Sequence, residues 1–167
     1  MDWSRWLRHA FGTGRAARRA FPPAALGRIE AAVTASERLH AGEIRVAVEG
    51  SLEPGEVARG KTPRDRAMEV FAALGVWDTE ANNGVLIYVL LADHDVEIVA
   101  DRGFNGRVAP AEWARACDDM QREFRAGRHA EGVVAGVEAV GRIIAAHFPR
   151  LPGQRDADEL PNRPTLL

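Results

Sequence analysis

The chain holds one cysteine, one tyrosine and no long apolar run in its 167 residues. A single thiol, Cys117, closes no internal disulfide, so a disulfide scaffold is excluded and nothing argues for an oxidising compartment. No stretch approaches the roughly 18 consecutive apolar residues of a membrane span. The first residues lack the apolar core, about 7–15 residues long, of a secretory signal. The compartment expected is therefore the cytoplasm, peripheral to a membrane if the N-terminal arm described below engages one. Excess charge of one sign is also missing: the formal net charge is −2, so nucleic acid is not an expected partner.

What is present is a core-forming composition, 46% hydrophobic, on the scale of one domain. Charge is unevenly spread. Residues 1–20 carry Arg5, Arg8, Arg15, Arg18 and Arg19 against Asp2, a formal +4, which leaves −6 for the remainder. Within them Trp3, Trp6, Leu7, Ala10 and Phe11 fall at helical spacing, interrupted by Arg5 and Arg8. The pattern predicts a short basic amphipathic helix stopped by Gly12-Thr13-Gly14 and followed by a basic connector. Such a helix is marginal alone in water. It has three options: packing on its own domain, docking on a protein partner, or lying on a membrane surface. The arm residues that would serve the last two are Trp3, Trp6, Phe11, Arg5 and Arg8.

The domain proper is expected over 21–149. Leu26, Ile29 and Val33 predict a helix over about 23–40, with Pro23 in its first turn. Ile44, Val46 and Val48 alternate with Arg45, Ala47 and Glu49, which predicts a first strand. Residues 50–60 read as a polar loop. Thr62-Pro63 marks the next helix start, and Gly75 its end. The run 85–91 has no polar alternation and predicts a central strand covered on both faces. After a short connection, Val96, Ile98 and Ala100 share one face of a return strand. Two further helices carry Trp113, Cys117, Met120 and Phe124, then Val133, Val137, Val140 and Ile144. Cys117 reads as a buried small hydrophobe. Residues 150–167, rich in proline and charge, read as a disordered tail.

The connection from first to central strand permits a right-handed crossover with parallel strands. The central and return strands must be antiparallel, because so short a connection cannot cross over. The expected fold class is α/β, a three-layer α/β/α sandwich around a central mixed sheet.

Asn82-Asn83-Gly84-Val85-Leu86-Ile87, residues 93–98, Arg102-Gly103-Phe104 and Phe124-Arg125-Ala126-Gly127-Arg128 occur in an order and spacing that resemble the TPM domain family, over about 21–148. The resemblance implies a TPM-like three-layer domain, known from photosystem-repair proteins of chloroplasts and from bacterial proteins of unclear role. It also implies two properties described for some members, acid phosphatase activity and calcium binding. The family's Gly-Tyr-Gly-Leu-Glu motif corresponds here to Asp101-Arg102-Gly103-Phe104-Asn105. Asn105 thus stands where the family has a glutamate, and Pro110 near a later acid.

The hairpin topology sorts the acidic residues to two poles. Asp101 comes beside the loop that holds Asp78, Glu80, Asn82 and Asn83, and a parallel first strand adds Glu43. This oxygen-rich rim gives a candidate metal set of Asp78, Asn83, Asp101 and Glu43, for calcium or another divalent cation; ordinary turn chemistry is the competing reading. The opposite pole gathers Glu49, Asp93 and Asp95, with Ser51 and His94, where a solvated turn competes with a metal or acid–base site. No activated serine is marked, since Ser51 stands in no Gly-x-Ser-x-Gly setting. The function expected is a non-enzymatic interaction or regulatory module with a protein partner, a membrane surface being the alternative reached through the arm. A divalent cation is the one candidate cofactor. The competing function is a metal-assisted acid phosphatase.

Overall fold

The computed structural model describes residues 2–11, 14–151, 153 and 159–167. Seven helices and a four-stranded sheet occur among them. The strands are β1 (Glu43–Glu49), β2 (Gly84–Leu90), β3 (Asp95–Ala100) and β4 (Thr165–Leu166), in the order β3-β2-β1-β4. β1 runs parallel to β2 with Glu43 opposite Gly84, and β2 runs antiparallel to β3 with Val85 opposite Ala100. The reversal between β2 and β3 is a single 3-10 turn, Leu91–Asp93, closed by His94 at φ +52°.

Both faces of the sheet are covered. On one, Ile44, Val46, Val48, Val85, Ile87, Val89, Val96 and Ile98 pack against helices α3 (Pro23–Glu37), α6 (Pro110–Arg125) and α7 (His129–His147). On the other, Ala47, Leu86, Tyr88, Leu90 and Val99 meet α4 (Pro54–Ala58) and α5 (Pro63–Ala73). Every residue of β1 and β2 is buried, which is why the central strand reads as an unbroken apolar run. α5 starts as its sequence dictates: Asp65 N–H donates to Thr62 Oγ1 at 3.1 Å, and Asp65 Oδ2 accepts from Thr62 N–H at 3.1 Å. Gly75 follows α5 at φ +67°.

Local assignments differ from expectation in three places. The connector after the first helix is itself helical, α2 (Gly14–Ala20), anchored by Ala17 at 0% exposure. Proline at a first helical position starts α4 inside the stretch read as a polar loop, and Val57 buries it against the second core. The tail is ordered over 159–167. Leu160 enters the core, and β4 pairs in parallel with β1, so that Ala47 faces Thr165. Arg45 causes this. It occupies a buried position on a strand face, where its guanidinium needs acceptors. The tail supplies the carbonyls of Pro161 and Arg163 and, at 2.5 Å, Thr165 Oγ1. The expectation of disorder for residues 152 and 154–158, and the stop signal at 12–13, fall outside the described residues.

Candidate functional site

At the rim, the topology brings Asp101 beside the loop entering β2, as the hairpin requires. Asp101 N–H donates to Gly84 O at 2.9 Å, Gly103 N–H to Asn82 O at 2.9 Å, and Arg102 Nε to Asn82 Oδ1 at 2.6 Å. Glu43, Asn83 and Asp101 are all buried, whereas Asp78 and Glu80 are exposed. Most of the rim chemistry is turn chemistry. Asn83 donates its amide to Ala41 O at 2.6 Å, Glu43 accepts from Leu160 N–H at 3.3 Å, and Asp101 Oδ1 accepts from Arg102 N–H at 2.7 Å. Two buried oxygens, Asn83 Oδ1 and Asp101 Oδ2, have no hydrogen-bond partner among the described residues.

The backbone positions of these donors are spread along the rim. Glu43 and Asp101 flank Gly84 from opposite sides, two strand spacings or about 10 Å apart. A ligand oxygen must come within about 2.3–2.6 Å of the ion. The space over Gly84 is also occupied, because a Cβ there would stand 2.0 Å from Val76 O. No group of three His, Cys, Asp or Glu side chains placed to hold a metal occurs among the described residues.

At the opposite pole, Glu49, Asp93 and Asp95 are brought to one end of the sheet, but each is bonded to a different internal partner. Glu49 Oε2 accepts from the Tyr88 hydroxyl at 2.6 Å and from Arg66 Nε at 2.9 Å, while Oε1 accepts from Arg66 Nη2 at 3.1 Å. Burial, and then the hydrogen bond to Glu49, pushes the Tyr88 phenol well above its ordinary range. The same carboxylate, as hydrogen-bond partner, holds Arg66 still more firmly protonated. Asp95 accepts from Val96 N–H at 2.8 Å and Gln121 Nε2 at 2.7 Å, and burial raises its pKa, with Asp93 adding to the effect. Ser51 and His94 stand beside these groups in the chain. Cys117, half-buried in α6, has its thiol pushed up to about 12 by burial and stays protonated.

Asp93 is the fastening point of the N-terminal arm. Helix α1 (Trp3–Phe11) lies on its own domain. Arg5 Nε donates to Asp93 Oδ1 and Oδ2 at 3.1 and 3.0 Å, and Arg5 Nη2 donates to Lys61 O at 2.9 Å. Arg8 Nε donates to Ala92 O at 3.0 Å. His9, fully buried, accepts the Leu52 N–H at Nδ1, 2.9 Å, which leaves the proton on Nε2 to be donated to Asp93 Oδ1 at 3.0 Å. Trp6 packs against the second core. Of the five arm residues singled out from the sequence, Arg5, Arg8 and Trp6 therefore serve the intramolecular dock. Trp3 and Phe11 point to solvent, together with Leu7.

Burial alone would raise Asp93, but the hydrogen bonds from Arg5 and His9 outweigh it and hold the carboxyl below its ordinary value of 3.8. With the folded value depressed, the stability it lends is complete above pH 3.8 and is lost as pH falls through the lower, folded value. Acidification through that lower value is expected to release α1 while the sheet persists. The Trp6 indole resonance, followed by NMR down the pH scale, reports this. Asp93→Asn is expected to weaken the dock at neutral pH by about 1.5–3 kcal/mol, the worth of hydrogen bonds to a charged group. Unchanged amide exchange over residues 3–11 in that variant would contradict the assignment.

Sequence reasoning missed Tyr88, Arg66 and His9 as members of these networks. Tyr88 carried a signal: a tyrosine inside an apolar central strand must find a partner for its hydroxyl. His9 carried none, since its partners lie 43 and 84 residues away.

A mixed sheet with helices on both faces and its acids sorted to two ends defines a three-layer α/β/α domain. The model of the TPM domain matches residues 17–143, so the chain belongs to the TPM domain family. It is similar to BA42 from the psychrophilic bacterium Bizionia argentinensis at 34% identity and TM-score 0.74, covering 85% of this chain and 92% of that one. The fold is shared with the N-terminal domain of a P. gingivalis protein, at 24% identity and TM-score 0.55 over 75% of this chain and 76% of that one. It is shared too with the N-terminal domain of cg2496 from Corynebacterium glutamicum, at 14% identity and TM-score 0.55 over 81% and 83%. No curated protein matches the chain. Among the described residues, no helix is long and apolar enough to cross a membrane.

Proposed function

We propose that this TPM domain is a non-enzymatic interaction module whose working surface is the outward side of its N-terminal arm. The observation that carries this is the commitment of the carboxylates at the sheet end where ligands of open α/β sheets bind. Glu49 is held by Arg66 and Tyr88, Asp93 by Arg5 and His9, and Asp95 by Gln121. A general acid, base or nucleophile must have its reacting atom free for substrate; both oxygens of Glu49 and of Asp93 are engaged, and Asp95 accepts its two bonds at Oδ1.

A second reading, the metal-assisted phosphatase, draws on one observation: Asn83 Oδ1 and Asp101 Oδ2 are buried at the rim without hydrogen-bond partners. The two readings part on a direct assay. The interaction module is expected to release no phosphate from an aryl phosphate across pH 4–8, with or without millimolar calcium or magnesium. It is also expected to keep its melting temperature when calcium is added, because a ligand that binds only the folded state would raise it. Phosphate release abolished by Asp101→Ala, in a variant that still folds, would overturn the first reading. A calcium-dependent rise in melting temperature without turnover would add a regulatory cation to it.

A further inference from the structure

The two faces of α1 have different fates. Arg5, Trp6 and His9 turn inward to Asp93, the second core and Leu52. Trp3, Leu7 and Phe11, spaced four residues apart, form one outward stripe and are 63%, 46% and 80% exposed. These are three of the largest apolar side chains in the arm, held in water in a fixed orientation. Trp3 is braced edge-on against Trp6, with ring centroids 6.0 Å apart. Surface apolar residues scattered singly need no explanation, but an aligned stripe of Trp, Leu and Phe does.

The exposed charge of the N-terminal segment that carries the stripe is mostly of one sign. Arg15, Arg18 and Arg19 of α2 are exposed, and Arg8 is half exposed. The one acid of residues 1–20, Asp2, is occupied by Ser4 and the Arg5 N–H. An aromatic and aliphatic stripe followed in the chain by exposed arginines is complementary to the headgroup boundary of an anionic bilayer, where the apolar side chains enter the acyl edge and the cations meet lipid phosphates and carboxylates. A free peptide of nine residues would have to fold on arrival. Here Asp93 and His9 hold the helix folded beforehand, so the ordering cost of binding is already met.

We infer that the stripe Trp3-Leu7-Phe11, with Arg15, Arg18 and Arg19, docks the domain on anionic lipid bilayers. This rests on the interaction-module reading and names the partner of that surface. The test is sedimentation of the full chain with vesicles of phosphatidylcholine alone or with 30% phosphatidylserine. Binding is expected only to the anionic vesicles, and it should fall as salt is raised. The triple variant Trp3→Ser, Leu7→Ser, Phe11→Ser changes exposed side chains alone and should keep the melting temperature while losing at least tenfold in partitioning. Changing Arg15, Arg18 and Arg19 to glutamine should cost about fivefold for each arginine. No pelleting of the unaltered chain with anionic vesicles at low salt, or equal pelleting of the triple variant, would overturn the inference. A dimer in solution that the triple variant abolishes, without pelleting, would assign the stripe to a second copy and overturn it likewise. Phosphate release with intact vesicle binding would sink the non-enzymatic reading alone. Neither pelleting nor release would sink only the lipid assignment.

Discussion

Gly84→Ala is expected to destabilise the domain by about 4 kcal/mol or more, among the largest effects any single substitution can have here. A Cβ at this position would lie 2.0 Å from Val76 O and 3.1 Å from its carbonyl carbon, a collision with a backbone carbonyl. Neither partner can retreat. Gly84 is pinned in β2 opposite Glu43 and accepts the Asp101 N–H, while Val76 is fully buried and donates its N–H to Phe71 O. Gly103 presents the same constraint, its Cβ falling 2.3 Å from Asn82 O. The glycines of the two family-like motifs therefore exist so that two turns can lie against each other at the rim. Gly27→Ala supplies the contrast. It sits exposed in α3 with nothing within 4 Å, and alanine there should stabilise by about 0.4–1 kcal/mol. Urea unfolding midpoints measure both, and a Gly84→Ala domain as stable as the parent would refute the packing described for the rim.

Glu49→Ala is expected to cost about 3–5 kcal/mol, because it strands a buried hydroxyl and a partly buried guanidinium together. Tyr88 is fully buried and its hydroxyl meets Glu49 at 2.6 Å; Arg66 loses contacts of 2.9 and 3.1 Å at once. Glu49→Gln should be milder, since an amide oxygen still accepts one of these bonds. Tyr88→Phe, which removes one donor and leaves the ion pair, should cost about 1 kcal/mol. Combining Glu49→Leu, Arg66→Leu and Tyr88→Phe should restore much of the loss, as apolar replacement of a whole buried network often does. Denaturant titration of the series checks the order. A loss below about 1 kcal/mol for Glu49→Ala would mean that solvent, not Glu49, satisfies Arg66.

The hairpin was legible because its signals are local. An apolar run of strand length, a connection too short to cross over and a period-two return strand admit one pairing, and β2 and β3 follow it with Val85 opposite Ala100. The start of α5 was legible for the same reason, since Thr62, Pro63 and Asp65 carry their cap within four residues. The candidate sites were legible only as neighbourhoods. Topology put Glu43, Asn83 and Asp101 at one end and Glu49, Asp93 and Asp95 at the other, but which atoms face each other depends on loops and on helices far along the chain. Arg45 shows the difference. In the sequence it marked only the alternation of a strand, and nothing near it named the carbonyls of Pro161 and Arg163, more than a hundred residues away.

By itself, then, the sequence determined the layers, the hairpin, the crossover and the two acidic ends, because hydrophobic period, turn chemistry and connection length act over a few residues. Only the tertiary structure decided that the tail forms the fourth strand, that Asp93 clasps the arm through Arg5 and His9, and that Trp3, Leu7 and Phe11 are left facing outward. Those outcomes depend on buried charges finding partners, and a buried charge accepts whichever oxygen or N–H the completed fold brings within reach, however distant in the chain.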